Sequence, residues 1–178
     1  LFHVWNPATQ LYDELAAFHG VAAYSEGWAT NFFDYDNDGW QDLLVVHSFD
    51  PNHLYRNPGL AGGTWTNVAP SLGCGIPNAT KYTSAIGDFD NDGRVDILIP
   101  RDYQPGVLLR NTVNGGNWVR FKLEGTVSNR SAIGARVAIT VGGVTQRQTV
   151  RTGHGYIGGH DLRLHFGVGG ATTVDSVS

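Results

Sequence analysis

Asp34-Tyr35-Asp36-Asn37-Asp38-Gly39-Trp40-Gln41-Asp42 decides how this chain reads, because 54 residues later it returns as Asp88-Phe89-Asp90-Asn91-Asp92-Gly93-Arg94-Val95-Asp96. Every carboxylate and the glycine recur in place. Carboxylates at positions 1, 3, 5 and 9, with glycine at 6, let one short turn surround a hard cation with oxygen atoms. An apolar run follows each copy at once, Leu43-Leu44-Val45-Val46 and Ile97-Leu98-Ile99, so each loop sits between strands. Asp, Asn and Gly also favour ordinary turns. A turn needs only one or two of them, however, whereas four acids in nine positions repel one another unless a cation offsets them. A glycosidase-type acid/base pair is the other alternative. Such carboxylates stand on separate elements in different environments, while these crowd one loop and recur as a set.

The loop resembles the first half of a helix-loop-helix calcium site, in which positions 1, 3 and 5 give side chains and position 7 a backbone carbonyl. The resemblance implies Asp34, Asp36, Asp38 and Asp42 as side-chain ligands of one calcium and Asp88, Asp90, Asp92 and Asp96 as those of a second. Trp40 and Arg94 would give the carbonyls. The ninth-position carboxylate replaces the usual glutamate at position 12, and a strand follows where that family has a helix.

The charge acquires meaning once it is located. Of the 16 acidic residues, 8 lie in the two loops, so two divalent ions would bring the formal net charge of −4 near zero. There is no basic surplus and no aromatic-basic interleaving of the kind that nucleic-acid binding requires. No apolar run approaches the roughly 18 residues of a membrane-spanning helix. Glycine at 24 of 178 residues, no methionine and little helical periodicity point to an all-β, turn-rich protein. The chain opens on Leu1 with neither initiator methionine nor signal peptide, which reads as a processed or partial product. Cys74 is the only cysteine and reads as a small buried residue, leaving calcium as the expected staple of a secreted fold without disulfides.

The repeat extends beyond the loop. Strands are expected before it, at Ala29 to Phe33 and Ser84 to Gly87, and after it, in the apolar runs. A third ends in Leu54-Tyr55-Arg56-Asn57 and Leu108-Leu109-Arg110-Asn111, and a fourth begins near Trp65-Thr66-Asn67-Val68. Four strands per 54 residues is the rhythm of a β-propeller blade. Phe2 to Asn6 and Leu11 to Val21 fit as the end of an earlier unit, with Leu11 to Phe18 expected as strand. That gives about two and a half blades, with a partial blade over 1–28 and repeats from 29 and 83.

Residues 1 to 112 thus resemble FG-GAP or VCBS-type repeats of extracellular β-propeller proteins, akin to the calcium-loop blades of integrin α chains. Two and a half blades fall short of the at least four that normally close a ring. Trp118 lies 53 residues after Trp65, so the strand Trp118 to Leu123 either completes the second blade or opens a new domain. Gly134 to Val141 alternates in period two, and Gly142-Gly143 turns it into Val144 to Arg151, a hairpin signal. Ser128 to Val137, with Leu164 to Gly169 and Val174 to Val177, resembles the ASPIC/UnbV domain. That domain follows VCBS repeats in secreted bacterial proteins and in an animal cartilage protein. The second domain, a small antiparallel β domain, is therefore expected over 113–178.

His154, His160 and His165 with Asp161 have ligand chemistry suited to zinc. Their spacing on glycine-rich strands matches no compact motif, and they read as structural. Arg130 and Arg136 either bind an acidic ligand or form a solvated rim. Asn78-Ala79-Thr80 and Asn129-Arg130-Ser131 are glycosylation sequons, Asn78 being the better placed in its Gly-Ile-Pro-Asn loop.

The function expected is an extracellular, calcium-stabilised structural or adhesive protein without catalysis. Its unclosed blades would pair head to tail with copies of itself, as subunits of a homopolymeric filament. The alternative is a glycan- or protein-binding module of a larger secreted propeller protein. Trp40, Tyr55, Trp65 and Tyr103 would then stack on sugars, although packing between blades also explains them.

Overall fold

The computed structural model of the chain describes residues 2–23 and 25–178 and is built from short antiparallel strands. Leu1, where the sequence enters the first partial blade, lies outside the described residues, as does Tyr24. The N-terminal segment forms a hairpin of β1 (His3–Asn6) and β2 (Leu11–Glu14), then a helical turn α1 (Ala16–His19). A four-stranded antiparallel sheet follows: β3 (Gly27–Phe33), β4 (Asp42–His47), β5 (His53–Arg56) and β6 (Thr66–Asn67). After α2 (Ala69–Leu72), a three-stranded sheet takes β7 (Ala85–Gly87), β8 (Asp96–Arg101) and β9 (Gln104–Leu109).

Contrary to expectation, Leu11 to Phe18 is not one continuous strand. The strand stops at Glu14 and the chain turns through α1, because Gly20 takes the left-handed conformation and lets the N–H of Val21 reach back to the carbonyl of Ala16. The later unit repeats this ending: Gly73 is left-handed after α2, and the N–H of Cys74 bonds the carbonyl of Ala69. Ala16 and Ala69 are both buried. The alignment of Leu11–Val21 with Trp65–Cys74 therefore corresponds to one repeated strand-plus-helical-turn.

Burial explains the apolar runs. In β4 every residue is buried, Leu44 and Val46 packing between the two sheets and Leu43 and Val45 against the N-terminal segment. Both faces are covered, so the run is apolar throughout. In β8 only one face is covered: Ile97 and Ile99 join the core between the sheets, while Leu98, 44% exposed, faces outward beside Leu108, 45% exposed. Burial of each inward side chain contributes on the order of 1.5–3 kcal/mol.

The strand at Trp118 does not complete the second unit. It is β10 (Asn117–Phe121), and it pairs with β13 (Leu164–Gly169). The second unit thus has three strands where four were expected. Between them in sequence lies the expected hairpin, β11 (Arg136–Val141) and β12 (Val144–Thr149), turned by Gly142 and Gly143, both at positive φ. β14 (Ser176–Val177) extends that sheet on the other side of β11. Val137, Ile139, Val150, Leu164 and Phe166 make a separate core there.

Candidate metal centre

The two acidic loops fold alike because the same groups hold each carboxylate. In the first loop Asp34 accepts from the backbone N–H of Asp38 at 3.1 Å and of Gly39 at 2.8 Å; in the second Asp88 accepts from Asp92 at 3.0 Å and Gly93 at 2.9 Å. Asn37 and Asn91 turn each loop in the left-handed conformation, φ 56° and 59°, which asparagine tolerates. The ninth-position carboxylates arrive from the first residues of β4 and β8. Asp42 accepts from Tyr35 N–H and Asn57 N–H, and Asp96 from Phe89 N–H and Asn111 N–H.

This framework brings together Asp34, Asp36 and Asp42, whose oxygens lie within 4.8 Å of one another, and likewise Asp88, Asp90 and Asp96. Asp38 and Asp92 stand at the rim of their trios. Asp38 accepts the N–H of Trp40 at 2.9 Å and Asp92 that of Arg94 at 3.0 Å, which is how Trp40 and Arg94 enter the loops. Burial, with the neighbouring carboxylates adding to it, pushes Asp34 up to about 7 and Asp42 up to about 8. Asp36 Oδ1 is buried and has no hydrogen-bond partner among the described residues. An acceptor without a donor at the focus of three carboxylates is what a divalent cation would complete. The donor set is all oxygen, which suits calcium.

Sequence reasoning passed over the guanidinium groups. Arg56 bonds Asp36 at 2.9 Å and Asp38 at 3.2 Å, and Arg110 repeats this on Asp90 at 2.5 Å and Asp92 at 3.2 Å. The signal was present, since Arg-Asn recurs at 54 residues just as the acids do. The loops also touch: Asn37 Nδ2 donates to the carbonyl of Gly93 at 2.9 Å.

The C-terminal region seats on these loops. Gly116 N–H bonds the carbonyl of Asp36 and Gly169 N–H that of Asn37, both at 2.8 Å. His165 shares a 2.8 Å bond with Asn37 Oδ1 and stacks on Trp118, and Arg120 binds Asp88 at 2.5 Å. The histidines form no metal set with Asp161. His160 accepts the Ile86 N–H and bonds Asn31, Asp161 is held by Arg163, and the Asp trios are the metal-competent groups among the described residues. Burial pushes both His160 and His165 down to about 4.

The remaining sequence candidates are dispersed. Tyr55 is buried against the N-terminal segment and Trp65 packs edge-on against Phe2, both as packing residues; Trp40 covers Gly59, and Tyr103 is exposed on the turn between β8 and β9. Asn78 is exposed, whereas the Asn129 amide is tied to both backbone groups of Ile133. Arg130 pairs with Glu124 in solvent. No helix among the described residues is long and apolar enough to cross a membrane.

Comparison with known proteins agrees with this layout. Residues 34–99 match the family model described as FG-GAP-like repeat, and residues 125–178 match ASPIC and UnbV. Over 85 residues, 48% of this chain, the sequence is 31% identical to cartilage acidic protein 1 of Mus musculus, and the same holds for that of Homo sapiens. It is also 29% identical over 105 residues, 53% of this chain, to integrin alpha-7 of Mus musculus. These matches span 13% of each cartilage acidic protein and 9% of the integrin chain.

Proposed function

With an FG-GAP-like repeat followed by an ASPIC/UnbV segment as the premise, we propose that this chain is an extracellular structural or adhesive module, stabilised by two calcium ions and without catalysis. The observation that carries the proposal is the orphaned, buried Oδ1 of Asp36 among three convergent carboxylates, in a loop whose duplicate repeats the trio. Asp34, Asp36, Asp38 and Asp42 would hold one ion with the Trp40 carbonyl, and Asp88, Asp90, Asp92 and Asp96 the other with that of Arg94. The ion supplies positive charge that offsets the clustered acids. The protein's own groups keep the carboxylates in place through backbone N–H bonds. Similarity to an integrin α chain and to cartilage acidic protein supports an extracellular setting, in which Asn78 is the better placed of the two sequons for a glycan. Elemental analysis of purified protein and calorimetric titration of chelated protein test the reading: two calcium ions per chain support it, and no bound metal with no heat overturns it.

A second reading, self-association, is favoured by the outward face of the second sheet. Leu98 and Leu108 lie uncovered there at the place where a further blade would stack. Another copy of this chain, or a protein partner, placed on that face would extend the array, and repeated contact of this kind builds a filament.

A further inference from the structure

We propose that the cleft between the blade sheets and the C-terminal hairpin binds an acidic saccharide. The cleft has a volume of about 840 Å³, within the roughly 300–1,000 Å³ of ligand sites. One wall is the hairpin, which lines the cleft from Arg136 to Ala138 and from Arg147 to Thr149. Arg136 pairs with Thr149 and Ala138 with Arg147, so these four side chains share a face while Val137 and Ile139 turn into the core. Arg151 continues the row beyond Thr149, and all three arginines line the cleft.

These arginines have no carboxylate partner among the described residues. Two other arginines of the cleft do: Arg120 is bound to Asp88 and Arg163 to Asp161. Of the acidic side chains that line it among the described residues, Asp34 alone is left without an arginine, and Asp34 is buried and held by backbone N–H groups. The chain as a whole has a formal charge of −4, yet five of its 12 Lys and Arg residues gather here. A cleft whose unpaired charges are mostly of one sign focuses its potential on a ligand of the opposite sign. Guanidinium forks pair with the oxygens of carboxylate and sulfate groups.

The opposite wall selects among anions. It includes Phe32, 51% exposed with its ring 6.4 Å from that of Phe2, beside Thr30 on β3. An aromatic face with a hydroxyl suits a pyranose ring, whose C–H face stacks and whose hydroxyls hydrogen-bond. Outside the cleft, next in sequence to Gly155, Tyr156 packs its ring 5.3 Å from that of Trp28, which also meets Tyr82 at 5.0 Å. The proposal stands on the side chains that line the cleft and does not require the loops to hold calcium, although two divalent ions would raise the positive potential.

The test titrates the full chain with a sulfated, uronate-bearing hexasaccharide, and in parallel with an uncharged hexasaccharide, sodium sulfate and a hexaglutamate peptide. Micromolar binding of the acidic saccharide is expected, weakened at least about tenfold, or 1.4 kcal/mol, in Arg136→Ala/Arg147→Ala/Arg151→Ala with its melting temperature unchanged. Phe32→Ala is expected to weaken the saccharide without changing the response to sulfate. Should the triple variant not fold, Arg147→Glu alone is expected to give the same loss. Undiminished affinity in the arginine variants, or no binding of the hexasaccharide at millimolar concentration, overturns the proposal. Equal binding of hexaglutamate overturns the choice of saccharide, and competition by sulfate at equal anion concentration reduces the cleft to a simple anion site. Calcium stoichiometry in the same samples reads the loops separately.

Discussion

Gly167 on β13 lies so close to Asp34 that no Cβ could stand between them, the nearest atom being the carboxylate Oδ2. The C-terminal region therefore touches the first acidic loop at a proposed ligand, and Gly115 and Gly116 approach the backbone of Asp36 and Asn37 just as closely. A methyl group at 167 must push the carboxylate or the strand away. Gly167→Ala is expected to lower the calcium affinity of the first loop by about tenfold, equivalent to 1.4 kcal/mol, and to leave the second loop's affinity nearly unchanged. Titration calorimetry that finds both affinities at their wild-type values would show that the close approach is inert.

Removal of the ion should loosen the fold. A ligand that binds only the native state contributes about 2.7 kcal/mol at a hundredfold excess over its dissociation constant, and chelator withdraws that contribution. The melting temperature is expected to fall in chelator and recover with added calcium. Asp90→Ala should reduce the stoichiometry from two ions to one, with the melting temperature between those of the calcium-bound and chelated proteins. Identical melting curves in calcium and in chelator would contradict this.

Arg56 neutralises Asp36 and Asp38 from an exposed position, so its contribution is modest and depends on whether a cation is present. Arg56→Ala is expected to tighten calcium in the first loop a few-fold, because a competing positive charge is lost. It should also lower the melting temperature more in chelator than in calcium. Weaker calcium binding in this variant would mean that the guanidinium orients the carboxylates more than it competes with the ion.

The two faces of β8 should respond differently to substitution. Ile99 is fully buried between the sheets, and Ile99→Ala is expected to cost about 2–5 kcal/mol. Leu98 faces outward, and Leu98→Lys should change stability by no more than about 0.5 kcal/mol. If the chain self-associates through that face, Leu98→Lys shifts the sedimentation profile of the protein to smaller species. An unchanged distribution of assembled species would place the contact elsewhere.

His160 and His165 set an acid limit. Each is partly buried, and this lowers its folded value from 6.5 to about 4, so the unfolded chain binds more protons between those values. Stability from these groups is full above about pH 6.5 and is lost as pH falls toward 4. In saturating calcium, the melting temperature should decline over that interval and the decline should be shallower in His160→Gln. A flat profile from pH 7 to 4 would show that the two rings take up protons without cost.

The sequence by itself determined the repeated unit. Its 54-residue period, the carboxylate spacing and the apolar runs are local patterns, and each strand forms where alternation or a buried run requires it. It also carried the two-glycine hairpin at 142 and 143 and the acids that converge at each loop, because neighbours in a nine-residue turn cannot lie far apart. Tertiary structure decided everything that joins distant segments. Trp118 keeps the repeat's rhythm, yet its strand pairs with β13, because the partner that completes a sheet is chosen by burial and edge pairing, which no local pattern encodes. Leu11 to Phe18 could extend as strand in isolation; the left-handed Gly20 and the buried methyl of Ala16 turned its second half into helix. The arginine cleft is the clearest case. Arg136, Arg147 and Arg151 gain a common direction from the hairpin register, and they line one cleft with residues of β3 in a fold where glycines at 115, 116 and 167 let the C-terminal region settle onto the first acidic loop.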